Sequence, residues 1–159
     1  MKQILILVEG ETERKLIKAL NIAGRVRIVN LWENPINKIL PTINKQLVYI
    51  IFDTDTLKQI SFFQNNLRVL EKNNIDFKLF QQTNNLEDEL VRCTNCKTIN
   101  DIFNTQGVKE FKNQWNKSNN LEQKLLKLNF RTEQLWSGQL STPLKAWNHK
   151  KASFKDIKK

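Results

Sequence analysis

Residue types on which much enzyme chemistry depends are scarce in this chain of 159 residues, which has one histidine, two cysteines and one tyrosine. A Ser-His-Asp hydrolase needs a histidine together with a nucleophile motif, and the sequence contains no such motif. The phosphate-binding pattern G-x-x-x-x-G-K-[ST] is also missing. The sequence therefore argues against a triad hydrolase and against a P-loop within this chain.

The two cysteines, Cys93 and Cys96, have the spacing of zinc ligands, and His149 is the one histidine. A closed zinc site needs four ligands, usually from two such pairs, and the second pair is missing, so we expect two ordinary thiols. Few cysteines and no secretory signal pattern favour a cytoplasmic location. No stretch approaches 18 uncharged apolar residues, so we expect no membrane span.

Acidic residues are few compared with basic ones, at 16 against 26, which gives a net charge of +10. This balance favours a polyanionic partner, above all nucleic acid, although a lysine-rich proteome would give the same excess. Six lysines of the last 19 residues either track phosphates or form a solvated tail: Lys145, Lys150, Lys151, Lys155, Lys158 and Lys159. Three tryptophans could stack on bases, but core packing is the commoner use: Trp115, Trp136 and Trp147.

Glycine and proline are also rare, at four and three, so regular elements should dominate. Apolar runs predict strands at 3–8, 26–31, 46–52 and 75–80, and apolar stripes predict helices at 11–22, 57–73, 86–96, 107–116 and 120–128. A short helix is expected around Pro35, ended or kinked by Pro41, and an amphipathic helix over 150–159. Alternation of strands and helices predicts an α/β fold, with a four-stranded parallel sheet, helices on both faces and a helical C-terminal extension.

Carboxylates follow two of these strands. Glu9 ends the first, and Asp53 and Asp55 end the third, while Glu13 lies one helical turn after Glu9. If the two strands are neighbours, the four acids face each other, and a hard divalent cation would relieve their repulsion. Acids in a first helical turn can also simply oppose the helix dipole, which we expect for Glu11. The run DTDT can likewise be a helix cap.

The motifs VEGETE (8–13) and IIFDTDT (50–56) resemble the Toprim domain, most closely that of OLD-family (overcoming lysogenization defect) nucleases and small defence-associated Toprim proteins. The resemblance covers roughly residues 1–92 and implies a Rossmann-like Toprim fold with the first and third strands adjacent. It also implies a phosphodiesterase that uses Mg²⁺ or Mn²⁺, such as an endonuclease on DNA or RNA. Glu9, Glu13, Asp53 and Asp55 would be metal ligands, with Glu9 alternatively a general acid or base.

The resemblance extends to later residues. An acidic segment after the fourth strand would complete a second metal site, through Glu87 or its rivals Asp88 and Glu89, unless these acids only begin a helix. A late lysine would stabilise the scissile phosphate, and we assign it to Lys151. Residues 93–159 would pack on the 1–92 catalytic core as one domain, with Lys145, Lys150, Lys151 and Lys155 contacting nucleic acid.

Two other functions of a Toprim protein are weighed against the nuclease. One is a non-catalytic nucleic-acid-binding or regulatory subunit that works with a separate ATPase; self-association is also compatible with the sequence. Four clustered carboxylates argue against a pure binder of a polyanion. A topoisomerase is disfavoured because the sole tyrosine, Tyr49, lies inside the third strand, where we expect it to be buried.

Overall fold

The computed structural model describes residues 2–157 as an α/β fold. Its four parallel strands lie in the order β2-β1-β3-β4, so the first and third strands are neighbours, as expected. The strands are β1 (Ile4–Val8), β2 (Arg25–Ile28), β3 (Leu47–Asp53) and β4 (Asp76–Gln82). The α-helices are α1 (Glu11–Ala19), α2 (Ile60–Lys72), α3 (Leu86–Cys93), α4 (Val108–Lys117) and α5 (Leu121–Lys127).

Both faces of the sheet are covered, because successive strand side chains point to opposite sides. In β1, Ile6 and Val8 belong to one buried cluster, and Leu5 and Leu7 belong to the other. The first face is packed by α1, α3, α4 and α5. The second face is packed by α2 and by short 3-10 turns. The predicted parallel sheet with helices on both faces is therefore confirmed.

Several predicted boundaries differ from the structure, and β2, for example, ends at Ile28 and not at residue 31. The region after Pro35 forms two 3-10 turns, Ile36–Lys38 and Leu40–Thr42, since Pro41 cannot donate the hydrogen bond that a continuing helix needs. Both β3 and β4 run further than expected, so that Asp53 pairs with Gln82 across the two strands. This longer register matters for function because it places Gln82 beside the acids.

The last part of the chain is neither a free tail nor a long helix. It leaves the first face at Trp136, crosses the edge of β4, and packs on the second face from Leu140 to Trp147. At the crossing, the Gln81 side chain donates to the Gln139 carbonyl and accepts from the Ser141 amide, both at 2.7 Å.

The chain then returns to the first face, where the Ala152 amide donates to the Leu79 carbonyl. The amphipathic helix expected over 150–159 is replaced by a bridge between Lys151 and Leu79 and a 3-10 turn at Phe154–Asp156. An edge strand such as β4 offers unpaired backbone groups, and the returning chain pairs with some of them. Lys158 and Lys159 lie outside the described residues.

Several aromatic side chains that were considered for function belong to the core. Trp115, Trp136 and Trp147 are at most 5% exposed, which favours packing over base stacking, and Tyr49 is 1% exposed. From residue 2 to residue 157, no helix is both long and apolar enough to cross a membrane. The domain division at residue 92 stays a prediction.

Candidate metal centre

Two neighbouring strands bring acids together at the carboxyl edge of the sheet. Asp53 is the last residue of β3, and its amide donates to the Glu9 carboxylate, with 3.0 Å between N and Oε1. Gly10 directly precedes α1, so Glu13 lies in the first turn of that helix, where it is 7% exposed. We call Glu9, Glu13 and Asp53 the acidic cluster.

Gln82 joins the members of the acidic cluster, and the sequence analysis missed it. It ends β4, is fully buried, and its Nε2 donates to Asp53 Oδ1 and, at 3.4 Å, to Glu13 Oε1. Its Oε1 has no hydrogen-bond partner within residues 2–157. A glutamine at the end of a short apolar strand gives little signal by itself, because its role depends on the register of β4 against β3.

Trp32 forms a second support for the acidic cluster. Its indole Nε1 donates to the Asp53 carbonyl at 3.1 Å, and its ring stacks on Phe63 with 4.4 Å between centroids. A buried aromatic with a polar atom normally finds such a partner. Trp32 thus ties the end of β3 to the hydrophobic core of the second face.

Burial dominates the electrostatics of the acidic cluster. It raises the pKa of Asp53 from 3.8 to about 8, together with the charges of Glu9 and Glu13 and against the Gln82 hydrogen bond. Burial likewise raises the pKa of Glu9 from 4.5 to about 7, against the hydrogen bond from the Asp53 amide. The pKa of Glu13 is raised by the same cause. Near neutral pH, protons on Asp53 and Glu9 therefore relieve part of the repulsion that a bound cation would otherwise relieve.

A cleft of about 490 Å³ opens beside the acidic cluster. Its lining includes Asp53, Asp55, Glu87, Lys97 and Lys112. Lys112, on α4, pairs with Glu87, with 3.1 Å between Nζ and Oε1. Burial lowers the pKa of Lys112, but the hydrogen bond and the charge of Glu87 raise it. The charges of Glu13 and Asp53 raise it further, so the net shift of the pKa is upward. Nothing in the sequence pairs Lys112 with these distant acids.

The remaining acids have distinct surroundings. Asp55 is exposed and lines the cleft, where its charge raises the pKa of both Glu9 and Asp53. Asp88 also lines the cleft, and it accepts a hydrogen bond from the Asn84 side chain at 2.8 Å. Glu11 is exposed and pairs with Arg14 at 2.8 Å, as suits an acid in a first helical turn.

Glu89 is a structural residue in this arrangement. Its side chain is 1% exposed, and its oxygens accept from the amides of Thr83 and Trp136 and pair with Arg92. With three donors on one buried carboxylate, Glu89 holds the C-terminal segment against the end of β4. Of the three candidates in the 87–89 segment, Glu87 and Asp88 line the cleft and Glu89 does not.

The structure separates the C-terminal lysines from the acidic cluster. Lys150 pairs with Asp76, the first residue of β4, which lies about 20 Å of strand away from Gln82 at the other end. Lys155 lines a surface cavity with residues 20–23, beyond the end of α1 that is opposite Glu13. Lys145 is exposed on the 3-10 segment Thr142–Lys150, which packs on the second face.

Lys151, which the sequence analysis assigned to the scissile phosphate, contacts β4 and Ser137. Its backbone pairs with Leu79, and its Nζ lies 3.5 Å from the Ser137 carbonyl. No contact between Lys151 and a carboxylate of the acidic cluster occurs in residues 2–157. Within the described residues, Lys97 and Lys112 are the lysines that line the cleft beside these acids, and Lys112 pairs with Glu87.

The cysteines give no support for a zinc site. Cys93 is buried and Cys96 is partly buried, and both are free thiols. Burial raises the pKa of Cys93 to about 12, which disfavours the thiolate that would bind a metal. His149 lies near Glu71, at a separate surface cavity beside the first residue of β4.

The acidic cluster is not arranged as a finished metal site. Among residues 2–157, no group of three or more carboxylate, histidine or cysteine side chains is placed so that it could hold a metal ion as it stands. The Asp53 amide and the Gln82 amide occupy carboxylate oxygens that a metal would need. In donor chemistry the residues do fit a hard divalent cation, because all of the donors are oxygens and one of them, Gln82 Oε1, is a buried acceptor without a partner.

Comparison with known proteins adds no relative to these observations. No model of a protein family, no curated protein and no solved structure matches the chain. The Toprim resemblance thus stays a prediction that rests on the motif residues.

Proposed function

We propose that this chain is a Mg²⁺-dependent phosphodiesterase of the Toprim type, an endonuclease acting on DNA or RNA. The observation that supports it is the meeting of Glu9 and Asp53, from two adjacent parallel strands, with Glu13 of the first turn of α1. They meet at the carboxyl edge of the sheet, where active groups gather in open α/β sheets. Gathering one buried and two half-buried acids is costly, since each disfavours the charge of the others. Such an arrangement is hard to explain by stability alone.

In this proposal Glu9, Glu13 and Asp53 would hold Mg²⁺ or Mn²⁺, with Asp55 at the mouth of the cleft as a further carboxylate. The cation would neutralise phosphate charge and lower the pKa of bound water. The chain itself supplies the positioning. The Asp53 amide fixes Glu9, the Gln82 amide links Asp53 to Glu13, and Trp32 anchors the end of β3.

A second candidate function is a non-catalytic nucleic-acid-binding or regulatory Toprim subunit, working with a separate ATPase. One observation favours it: the carboxylates of the acidic cluster already have protein hydrogen-bond partners, so no set of three is ready for a metal. The two candidates differ in whether the purified chain cuts nucleic acid when a cation is supplied.

The cleavage assay uses the full chain with plasmid, single-stranded DNA and total RNA, each with Mg²⁺, Mn²⁺ or EDTA. The proposal expects cleavage of at least one substrate with a divalent cation and none with EDTA, because the cation supplies the charge that activates water. Binding without cleavage under every metal condition would favour the regulatory subunit. Cleavage that persists in EDTA would contradict the metal centre.

A basic surface formed by α1 and α4, next to the cleft, is an alternative nucleic-acid contact to the C-terminal lysines. Helix α4 runs alongside α1, since Trp115 Nε1 donates to the Thr12 carbonyl and Lys15 Nζ donates to the Ser118 carbonyl. The basic residues exposed on these two helices are Arg14, Lys18, Lys109, Lys112 and Lys117. We infer that phosphates on either side of the cleft would lie along this pair of helices.

Changing Lys18, Lys109 and Lys117 to Gln together is expected to weaken nucleic-acid binding and flatten its salt dependence. Each phosphate contact on duplex DNA contributes about −0.9 to the slope of log affinity against log salt. If all three lysines contact phosphate, the slope therefore becomes less steep by about 2.7. The measurement is a salt titration of duplex binding in EDTA.

A matched control removes the same charge from the other surface, by changing Lys145, Lys150 and Lys155 to Gln. Both triple variants lower the net charge by three, so a difference between their slopes reports the location of the contacts and not total charge. If the slope becomes less steep only in the control variant, the phosphate contacts lie on the C-terminal lysines.

A further inference from the structure

Glu87 is paired with an amine of its own chain. The resemblance assigns this residue to a second metal, yet its carboxylate lies 3.1 Å from Lys112 Nζ. The Glu87 side chain is 12% exposed, so an unpaired charge there would be costly. The ion pair therefore already supplies the positive charge that Glu87 requires.

The helix that carries Lys112 is held in place. Trp115, one turn further along α4, is fully buried and bonded to the Thr12 carbonyl next to Glu13. Residues three apart on a helix lie on neighbouring positions of one side, so this anchor directs Lys112 toward the cleft. The charges of Glu13 and Asp53 act on Lys112 as well as the charge of Glu87. Lys112 thus contacts Glu87 and lines the same cleft as Asp53.

At the acidic cluster, a buried side-chain oxygen has no hydrogen-bond donor beside it in the described residues. Gln82 Oε1 and Glu87 Oε1 are both buried without a geometric hydrogen-bond partner in residues 2–157, but Glu87 Oε1 has the Lys112 ammonium at 3.1 Å. The Gln82 amide that carries this oxygen bonds to Asp53 and Glu13 through its nitrogen. Buried carbonyl oxygens normally accept a hydrogen bond or ligate an ion. A cation is therefore still required beside Gln82, Asp53 and Glu13. The charge of Glu87 is already balanced by Lys112.

We propose that Lys112 takes the place of a second cation at Glu87, so that the centre binds a single divalent ion at Glu9, Glu13 and Asp53. This inference rests on the proposed function, since it assumes that the acidic cluster binds a metal. An ammonium is a compact point charge with three donors, which suits it to replace an ion beside a carboxylate. Removing the ammonium should open a second metal position at Glu87.

The test is the number of Mn²⁺ ions bound per chain, measured by calorimetry and by electron paramagnetic resonance on the full chain without substrate. The wild type is expected to bind one ion, and Lys112→Met two, because methionine keeps the bulk and removes the charge. The second ion should disappear in the double variant Lys112→Met and Glu87→Gln. Lys109→Met is the matched control, since Lys109 is exposed on the same helix and pairs with no carboxylate in the described chain; it should bind one ion.

Glu87→Gln alone provides a second test that does not depend on the folding of the Lys112 variant. It should leave one ion bound, with affinity within about threefold of the wild type, whereas Asp53→Asn should lower that affinity by about 100-fold or more. Two ions bound to the wild type, one ion bound to a folded Lys112→Met, or a 100-fold loss in Glu87→Gln would each overturn the inference. Binding of no ion by the wild type would instead reject the metal centre itself, and the inference with it.

Discussion

Asp53→Asn is expected to abolish metal-dependent cleavage, with a loss of at least about 100-fold, since even residues outside the ligand shell of a metal cost 10- to 100-fold when removed. Asp53 faces both Glu9 and Gln82, and the amide of asparagine cannot supply the negative charge that a divalent cation requires. The measurement is the cleavage rate with Mg²⁺ and Mn²⁺ on whichever nucleic acid the wild type cuts.

The same substitution should leave the fold intact and, without metal and above pH ~8, raise its stability. At that pH the half-buried Asp53 is ionised, so an asparagine removes repulsion within the acidic cluster, and about 1 kcal/mol raises the unfolding midpoint of a domain this size by about 2–4 °C. Glu11→Gln is the matched control, because Glu11 is exposed and contacts only Arg14 among the charged groups described. Full activity in Asp53→Asn, or a comparable loss in Glu11→Gln, would contradict the assignment.

Without divalent cations, the free energy of unfolding is expected to fall as pH rises from about 5 to about 8.5. The folded-state pKa of Glu9 is about 7 and that of Asp53 about 8, above their usual values of 4.5 and 3.8. The fold therefore favours the protonated acids. Their contribution is fully present below pH ~4 and is lost as pH rises through 7 to 8. The unfolding midpoint should therefore drop measurably across this pH range.

Added Mg²⁺ or Mn²⁺ should reverse this fall, since the cation binds the deprotonated carboxylates and releases their protons. The measurement is thermal unfolding across this pH range, with EDTA and with each cation. The double variant Glu9→Gln and Asp53→Asn should give a nearly flat profile and lose the response to metal. A wild type whose stability in EDTA rises between pH 5 and 8.5 would mean that these acids are not buried as described.

The sequence alone determined much of the fold and part of the candidate site. The apolar runs of β1 and β3 predict strands covered on both faces, because only residues removed from water on both sides can all be apolar. Acids directly after such runs must lie at the carboxyl edge of a parallel sheet. The placement of Glu9, Glu13 and Asp53 therefore followed from local pattern together with the strand order that the Toprim resemblance implied.

Only the tertiary structure decided which partners these acids have. Gln82 and Lys112 are 29 and 59 residues beyond Asp53, and no local period links them, because such contacts depend on strand register and helix packing. The basic C-terminal segment was expected either to track phosphates or to form a solvated tail, and backbone pairing with the edge of β4 and burial of Trp147 and Ala152 hold it against the sheet. Contact of its lysines with nucleic acid stays a prediction. Charge counting cannot anticipate this placement against the sheet, since the positions of the lysines are set by where their apolar neighbours are buried.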